Sequence, residues 1–214
     1  MPEPSHPPID HSDVPIRLFK SDFLEFFTHI SPVAVLVIWT PVVLWFLVSV
    51  ILRVVPGDSR LFIPAGLILG VFLWTFAEYM MHRFVFHHKA SSNLGQRVFF
   101  LFHGVHHAQP QCKTRLVMPP VVSIPMALIF YGLFYLVWGR LLGVPQWIGP
   151  SFAGFIAGYL AYDMIHYATH HFSMRQGYLK FLKRYHMQHH YKTPDARYGV
   201  SSPLWDRVFR TMPA

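Results

Sequence analysis

Residues 148–171 read IGPSFAGFIAGYLAYDMIHYATHH, an apolar run that leads directly into three histidines. At roughly 1.5 Å per helical residue, the part before the histidines is long enough to cross most of the hydrocarbon core of a bilayer. His166 and His170 stand four residues apart, so a helix that continues past the apolar run points both rings in one direction. The stretch therefore predicts a membrane helix that ends in a pair of metal ligands.

Three more apolar runs of similar length precede this one. The four runs cover 33–55, 61–81, 117–138 and 148–165. Short links, PGDSR between the first two and GRLLGVPQW between the last two, join them in pairs. Apolar residues make up 53% of the 214 residues and charged residues only 13%, which excludes an ordinary soluble domain. We therefore expect an all-α integral membrane protein with four transmembrane helices in two helical hairpins.

The basic residues fall mostly on one side of this arrangement. Of the 18 Lys and Arg residues, only Arg53, Arg60 and Arg140 belong to the side that holds the two short links. By the positive-inside rule, the N-terminus, the 82–116 loop and the 166–214 tail are predicted to be cytoplasmic. The same distribution accounts for the net charge of +8 without a nucleic acid partner. We expect no cleaved signal peptide, because about thirty polar residues precede the first run and no small-residue site follows it.

The chain divides into an N-terminal arm, 1–29, and a membrane domain, 30–214. The start of the arm, PEPSHPPIDHSDVP, is predicted to be poorly ordered, with no partner for His6 or His11. His29 is expected to be an ordinary interfacial histidine. The single cysteine, Cys112, excludes an internal disulfide and a metal site built only from thiolates.

Twelve of the fifteen histidines form four groups at the ends of the apolar runs or in the segments predicted to be cytoplasmic. The groups are HRFVFHH at 82–88, HGVHH at 103–107, HYATHH at 166–171 and HMQHH at 186–190. Helical spacing predicts that His103 converges with His106 and His107, and that the last group converges in the same way. His82 and His87, five apart, diverge by about 140° on an ideal helix. The second run is therefore predicted to end or bend near Arg83.

Many imidazoles at one face require an explanation, because without a metal they would repel one another when protonated. About ten ring nitrogens are too many for one ion, so the count favours two ions in a cytoplasmic helical cap. Zinc, iron, copper and nickel all accept imidazole, and ligand type does not choose among them. Glu78 and Asp163 precede His82 and His166 by one helical turn, so we expect each to accept the second ring N–H of that histidine. The alternative is an ion pair, for Asp163 with Arg184 or Arg175.

The order of these motifs around four spans resembles the fatty acid hydroxylase family of the sterol desaturase superfamily. Two stretches, HGVHHAQPQCKTRLVMPP at 103–120 and YHMQHHYKTPDARYGVSSPLWDRVF at 185–209, resemble in particular the fatty acid 2-hydroxylases. The likeness covers about residues 70–212. Cys112 departs from it, because an Asp is expected at that position.

The resemblance implies a membrane oxygenase with a dinuclear metal centre that uses O₂ to hydroxylate C2 of a long acyl chain, free or amide-linked in a ceramide-like lipid. Iron is the expected metal, because zinc has no redox chemistry and would only substitute for it in purified protein. His88 and His171 fall outside the implied ligands. The implied ligands are His82, His87, His103, His106, His107, His166, His170, His186, His189 and His190.

Further expectations concern partners and substrate. Relatives often carry a fused haem domain of the cytochrome b5 type, and arm 1–29 is too short for one. We therefore expect a separate donor, either of the cytochrome b5 type or a ferredoxin with its reductase. The aromatic residues expected to hold the acyl chain near the ions are Phe84, Phe86, Tyr162 and Tyr167.

Two other functions stay open at this point. A carotenoid or sterol hydroxylase or desaturase of the same superfamily would use the same centre on a bulkier hydrocarbon. A membrane metal transporter or sensor would bind ions through the same residue type. Transport sites lie near the bilayer midplane, whereas these histidines lie at the ends of spans and outside them, which favours the enzyme.

Overall fold

Every regular element in the computed structural model, which describes residues 9–54 and 60–213, is helical. The elements are α1 (Asp22–Phe26), α2 (Pro32–Arg53), α3 (Phe62–Met81), α4 (Asn93–Phe99), α5 (Val105–Ala108), α6 (Pro120–Phe134), α7 (Ile148–His171), α8 (Gly177–Tyr191) and α9 (Leu204–Val208). π-Helical turns over His82–Phe86, Phe100–Gly104 and Tyr135–Leu141 extend α3, α4 and α6, and a 3₁₀ turn, Pro145–Trp147, precedes α7. The prediction of an all-α fold is confirmed. His6 and most of the predicted PGDSR turn lie outside the described residues.

Within the described ranges, three helices are long and apolar enough to cross a membrane: Pro32–Arg53, Phe62–Phe86 and Pro120–Leu141. They cover most of the first three predicted runs. Large apolar side chains on these helices face outward, as with Trp45 and Leu128, which are 69% and 64% exposed. Such a surface is suited to lipid and unsuited to water.

The fourth predicted run lies in α7, which is not among these candidate spans because it is rich in glycine and polar side chains. α7 is the central helix and packs against α2, α3 and α6. The ring of Trp74 on α3 lies 5.1 Å from that of Phe155 and 5.3 Å from that of Tyr159, and Trp39 on α2 contacts Tyr159 from another side. A helix enclosed by other helices needs small residues for close packing more than it needs lipid-facing leucines.

Glycines allow the close approach of α3 and α7. A Cβ atom on Gly70 would collide with the carbonyl oxygen of Ser151, and one on Gly154 would collide with that of Leu67. The two backbones therefore touch at positions where no side chain fits. This contact fixes α7 relative to α3, and both helices carry histidines at their C-terminal ends.

The beginning of the arm is ordered where the structure describes it, contrary to the prediction. The Asp10 N–H donates to the Ala108 carbonyl at 2.8 Å, the Gln109 amide donates to the Asp10 carboxylate at 2.7 Å, and Lys113 pairs with Asp13 at 2.8 Å. The His11 ring stacks on Tyr191. The prediction failed because all of these partners lie far along the chain, where local composition gives no sign of them.

Further along the arm, a buried guanidinium fastens it to the membrane domain. Arg115 donates to the Ile16 carbonyl and forms an ion pair with Glu25. Glu25 also accepts the backbone N–H groups of Leu18 and Phe19, at 3.0 and 2.8 Å. Burial alone would raise the pKa of Glu25, but these hydrogen bonds and the nearby Arg115 outweigh it, so the pKa is lowered. The arm is thereby held by a charged carboxylate.

We expect Gly70→Ala and Gly154→Ala each to destabilise the protein by about 1–3 kcal/mol, because the added methyl group must push α3 and α7 apart. The melting temperature in detergent, followed by size-exclusion chromatography after heating, measures the effect. Gly132→Ala on α6 is the matched control, because nothing lies within 4 Å of its added Cβ. An equal loss in all three variants would contradict this role of the helix contact.

We expect Glu25→Gln to loosen the arm, because an amide keeps the shape of the side chain but loses the ion pair with Arg115. Hydrogen exchange of peptides spanning 16–29 should increase, while exchange in α7 stays unchanged. Acid should act similarly in the wild type: the stabilisation from Glu25 is present above its ordinary pKa of 4.5 and is lost as the pH falls through the lowered value. Unchanged exchange in Glu25→Gln would show that the ion pair does not hold the arm.

Candidate metal centre

The geometry at the end of α3 brings His82 and His87 together although they are five residues apart. The helix continues as the π-helical turn His82–Phe86, closed by a hydrogen bond of 3.1 Å from the His87 N–H to the His82 carbonyl. A π-turn places residues five apart on the same side. The two ring centroids are 4.9 Å apart. The predicted change of geometry near Arg83 is therefore present, as a widened turn and not as a fold back.

All four histidine motifs meet at one end of the helical bundle. The structure collects the ten histidines into two groups of five within the described residues, and the candidate ligand nitrogens of each group lie within 4.8 Å of one another. We call them the first and second histidine groups. The first comprises His82, His87, His103, His107 and His189, and the second comprises His106, His166, His170, His186 and His190.

The HxxHH motifs contribute to both groups, which differs from the predicted convergence of all three histidines in each motif. His103 and His107, four residues apart, share the first group, whereas His106 belongs to the second. In α8, His186 and His190 share the second group and His189 belongs to the first. The i,i+4 pair keeps one direction, and the i+3 residue is rotated enough to reach the neighbouring group.

The separations of the nitrogen atoms fit a metal ion in each group. The contacts between Nε2 atoms measure 3.0–3.3 Å in the first group and 2.9–3.0 Å in the second. Two ligands at right angles on an ion with bonds of about 2.0–2.1 Å have donor atoms about 2.9 Å apart. The spacing is therefore that of neighbouring ligands on a single ion.

Hydrogen bonding between the rings does not explain this spacing. A neutral imidazole offers either one N–H or one lone pair at Nε2. The Nε2 atom of His103 contacts both His82 and His107 at 3.0 Å, so one contact stays unsatisfied. His106 stands between His190 and His166 in the same way. A cation that accepts all five lone pairs removes the conflict.

Burial keeps these rings neutral, as ligands must be. Desolvation, assisted by the neighbouring imidazoles, lowers the pKa of five of these histidines well below the usual value for histidine. The histidines affected in this way are His103, His106, His107, His186 and His190. Burial also lowers the pKa of His189, to about 4, although its hydrogen bond to Ala196 opposes the shift. Their lone pairs are therefore free of protons at neutral pH.

The two groups differ in how their rings are oriented. In the first, the Nδ1 atom of His82 donates to the Tyr198 carbonyl, and that of His189 donates to the Ala196 carbonyl at 2.7 Å. These bonds fix the tautomer that leaves Nε2 free as a ligand. In the second group, no Nδ1 atom has a hydrogen-bond partner among the described residues. Within the part of the chain that the structure describes, those five rings are oriented by packing.

Two buried carboxylates hold the loop that carries the Tyr198 carbonyl. Asp206 accepts the N–H groups of Tyr198 and Gly199 at 2.9 and 2.7 Å. Glu78 accepts those of Val200 and Ser201 at 2.6 and 2.8 Å. Four successive backbone N–H groups are thus bound by two side chains, which we call the carboxylate clamp.

The clamp corrects the predicted role of Glu78. The Tyr198 carbonyl, and not Glu78, accepts the second ring N–H of His82, because the loop lies between the carboxylate and the ring. Asp163 does not contact the His166 ring either. It accepts the Met118 N–H at 3.3 Å, and the described residues show no ion pair between it and Arg184 or Arg175.

An apolar cavity of about 200 Å³ reaches both histidine groups. His103 from the first group and His106 and His166 from the second line it. Phe86 and Tyr162 also line it, as predicted for residues that hold an acyl chain. Phe84 and Tyr167 do not: Phe84 lies under Arg83, and Tyr167 packs on His171.

The other histidines within the described ranges lie elsewhere. His88 is exposed, and His171 belongs to neither group. His29 hydrogen-bonds Thr114 at 2.8 Å beside Arg115. Sequence reasoning missed Asp206 and Arg115; each is a charged residue in a segment with few others, and nothing local shows that either is buried.

Comparison with known proteins gives consistent matches over most of the chain. The family model of the fatty acid hydroxylases matches residues 67–211. A dihydroceramide fatty acyl 2-hydroxylase of Arabidopsis thaliana is 39% identical over 208 residues, which are 97% of this chain and 84% of that protein. The fatty acid 2-hydroxylase of Homo sapiens is 38% identical over 217 residues, with coverage of 92% and 57%.

A solved structure is similar as well. The structure of full-length scs7p, in which only the hydroxylase domain is visible, matches with a TM-score of 0.80 and 36% sequence identity. The match covers 90% of this chain and 70% of that chain.

We expect Asp206→Asn to weaken metal binding by the first histidine group about 10–100-fold, the usual effect of removing a partner behind a ligand. In the variant, the side-chain amide of residue 206 presents an N–H group to one of the two backbone N–H groups, of Tyr198 and Gly199, that need an acceptor. The loop is then no longer held, and the Tyr198 carbonyl loses its position. Metal content per chain after dialysis against a weak chelator should fall by one of two ions. Asp195→Asn, on the same loop but at the surface, is the control and should retain both. Equal retention in both variants would contradict the clamp.

Proposed function

The chain belongs to the fatty acid hydroxylase family, and we propose that it hydroxylates C2 of a long fatty acyl chain at two metal ions held by the histidine groups. It is an enzyme of lipid metabolism in a membrane. The observation that carries the proposal is the meeting of ten imidazoles, five and five, beside an apolar cavity. The relatives named above act on fatty acyl groups, and two of them are named for the 2-position.

Each histidine group is proposed to hold one ion, through the ten residues given above. Bound there, two redox-active ions would supply the O₂ chemistry that an unactivated C–H bond requires. Iron is the proposed metal. Zinc has no redox chemistry, so zinc in purified protein would mark substitution.

The protein positions the substrate carbon and excludes water from it. His103, His106 and His166 come from both groups and face the same cavity, so a carbon held there lies next to both. Phe86, Tyr162 and Val117 provide an apolar wall that orients a hydrocarbon chain. An apolar wall also keeps bulk water from the reacting atoms.

The reaction needs a reductant. Converting C–H and O₂ to C–OH and water consumes two electrons and two protons, and no residue near the centre supplies them repeatedly. We propose a separate donor, of the cytochrome b5 type or a ferredoxin with its reductase. Exposed Lys180 and Arg184, four residues apart on the outer face of α8, and the nearby Arg175 offer an acidic donor a basic surface close to the histidines.

We also propose a topology of four crossings. The motifs at 82–107 precede α6, and those at 166–190 follow it, yet they meet in the same groups. If α6 crosses the membrane, the chain must return between Leu141 and His166, and α7 is the helix in that interval. With the basic segments counted, the termini and the metal centre are proposed to be cytoplasmic.

The other functions considered from sequence are less well supported. A carotenoid or sterol ring system is bulkier than an acyl chain, and the cavity beside the histidines has a volume of only about 200 Å³. Transport through the bilayer would place ion ligands along the spans. Here most of them lie in segments beyond the candidate spans.

We expect cells that express the wild-type protein to accumulate 2-hydroxy acyl lipids, and cells that express His106→Ala to show background levels. The substitution removes a member of the second group that also lines the cavity. Supplying a fatty acid with two deuterium atoms at C2 locates the reaction, because a C2 hydroxylase leaves one of them in the product. Lipid mass spectrometry measures both quantities.

His88→Ala is the matched control, since His88 is exposed and belongs to neither group. It should keep wild-type levels of product. Equal product in the wild type and His106→Ala, or product that keeps both deuterium atoms at C2, would contradict the proposed function.

A further inference from the structure

The cavity beside the histidines is too small for a whole long acyl chain. A methylene group occupies about as much room as a water molecule, roughly 30 Å³ in a liquid. A cavity of about 200 Å³ therefore accommodates about seven carbons of the chain. If the enzyme acts on long acyl chains, as proposed above, the remaining carbons must leave the cavity by an apolar path.

One groove continues from the cavity toward the lipid. It has a volume of about 670 Å³ and lies between the first turns of α2 and α6. Phe26, Ile30 and Ala34 line one wall, and Ile124 and Pro125 line the other. Because α2 and α6 are candidate membrane spans, this groove opens where the hydrocarbon of a bilayer would lie.

Phe27 and Val121 line both the groove and the cavity, and they are the boundary between the two. Both side chains are partly exposed, 40% for Phe27 and 55% for Val121. Phe27 is supported by edge contacts with the rings of Phe23 and Phe26 at 5.1 and 5.4 Å. A hydrocarbon chain that passed between Phe27 and Val121 would contact apolar atoms along its length.

A larger cleft, of about 940 Å³, does not offer such a path. It is lined by Arg53, at the C-terminal end of α2, and by Gln146, in the 3₁₀ turn before α7, and by none of the histidines. The groove at Phe27 and Val121 is the one of these two that adjoins the metal centre.

We propose that the acyl chain of a membrane lipid reaches the metal centre sideways, from the bilayer, between Phe27 and Val121. The carbons near C2 occupy the cavity at His103, His106 and His166, and the rest of the chain lies in the groove between α2 and α6. The N-terminal arm, which supplies Phe27, therefore forms one side of the substrate opening. This inference rests on the proposed function.

Ile124→Trp tests the path by narrowing the groove, because Ile124 lines the groove and not the cavity. Activity on N-stearoyl ceramide in phosphatidylcholine vesicles should fall at least tenfold, because the long chain no longer passes. Activity on N-hexanoyl ceramide, whose acyl chain fits within the cavity, should stay within twofold of wild type. Leu128→Trp, one turn further along α6 and lining neither space, should leave both activities unchanged. Equal loss on both substrates, or no loss on either, would overturn the proposal.

Photocrosslinking of the unaltered protein gives a second measurement that does not depend on turnover. A ceramide with a diazirine near the middle of its acyl chain, reconstituted with the protein in nanodiscs, should label peptides that contain 26–34 and 120–125. Labelling confined to the outer surfaces of α2 and α6 would overturn the path. If the wild type hydroxylates neither the two ceramides nor free stearic acid, the proposed function fails, and the crosslinking result alone decides whether lipid occupies the groove.

Discussion

The structure depends on gathering ten imidazoles around two points in space. Burial lowers the pKa of histidines such as His106 and His186, so their lone pairs are available. Lone pairs that face one another in a buried site have no partner other than a cation. The rings come from four segments that span more than a hundred residues of chain. Only a rigid arrangement of α3, α5, α7 and α8 brings them within ligand distance of one another. The close contact of α3 with α7 at Gly70 and Gly154 provides much of that rigidity.

Helical periodicity explains why two groups form instead of one. A HxxHH motif sends its i,i+4 pair in one direction and its middle member toward a neighbouring point, so the two such motifs, in 103–107 and 186–190, each serve both groups. His166 and His170, with α-helical spacing, serve one group together. His82 and His87 do so only because a π-turn replaces the α-helix at that point. The backbone geometry and the ligand spacing thus agree at each motif.

Sequence predicted the features that depend on local pattern. The all-α class, the first three apolar runs and the four motifs follow from periodicity and hydropathy over stretches of about twenty residues. The assignment of His106 to one group and His103 to the other could not be predicted, because it depends on where α7 and α8 lie relative to α5. The contact of Glu78 with Val200, and that of Arg115 with Glu25, join positions about 90 or more residues apart. Long-range pairs of this kind leave no local signal, which is why the contacts of the arm were missed.

The long-range contacts that the sequence does not reveal connect the membrane part to the metal centre. Glu78 lies on α3 within a candidate span, and through Val200 and Ser201 it positions the loop whose carbonyl groups orient His82 and His189. Arg115 joins the arm to the segment between α5 and α6, beside the same cavity. A shift of α2 or α3 in the bilayer would therefore displace both the candidate ligands and the wall of the cavity. The membrane helices and the segments that carry the histidines act as one unit, because buried ion pairs and hydrogen bonds join them. Such contacts tolerate little displacement.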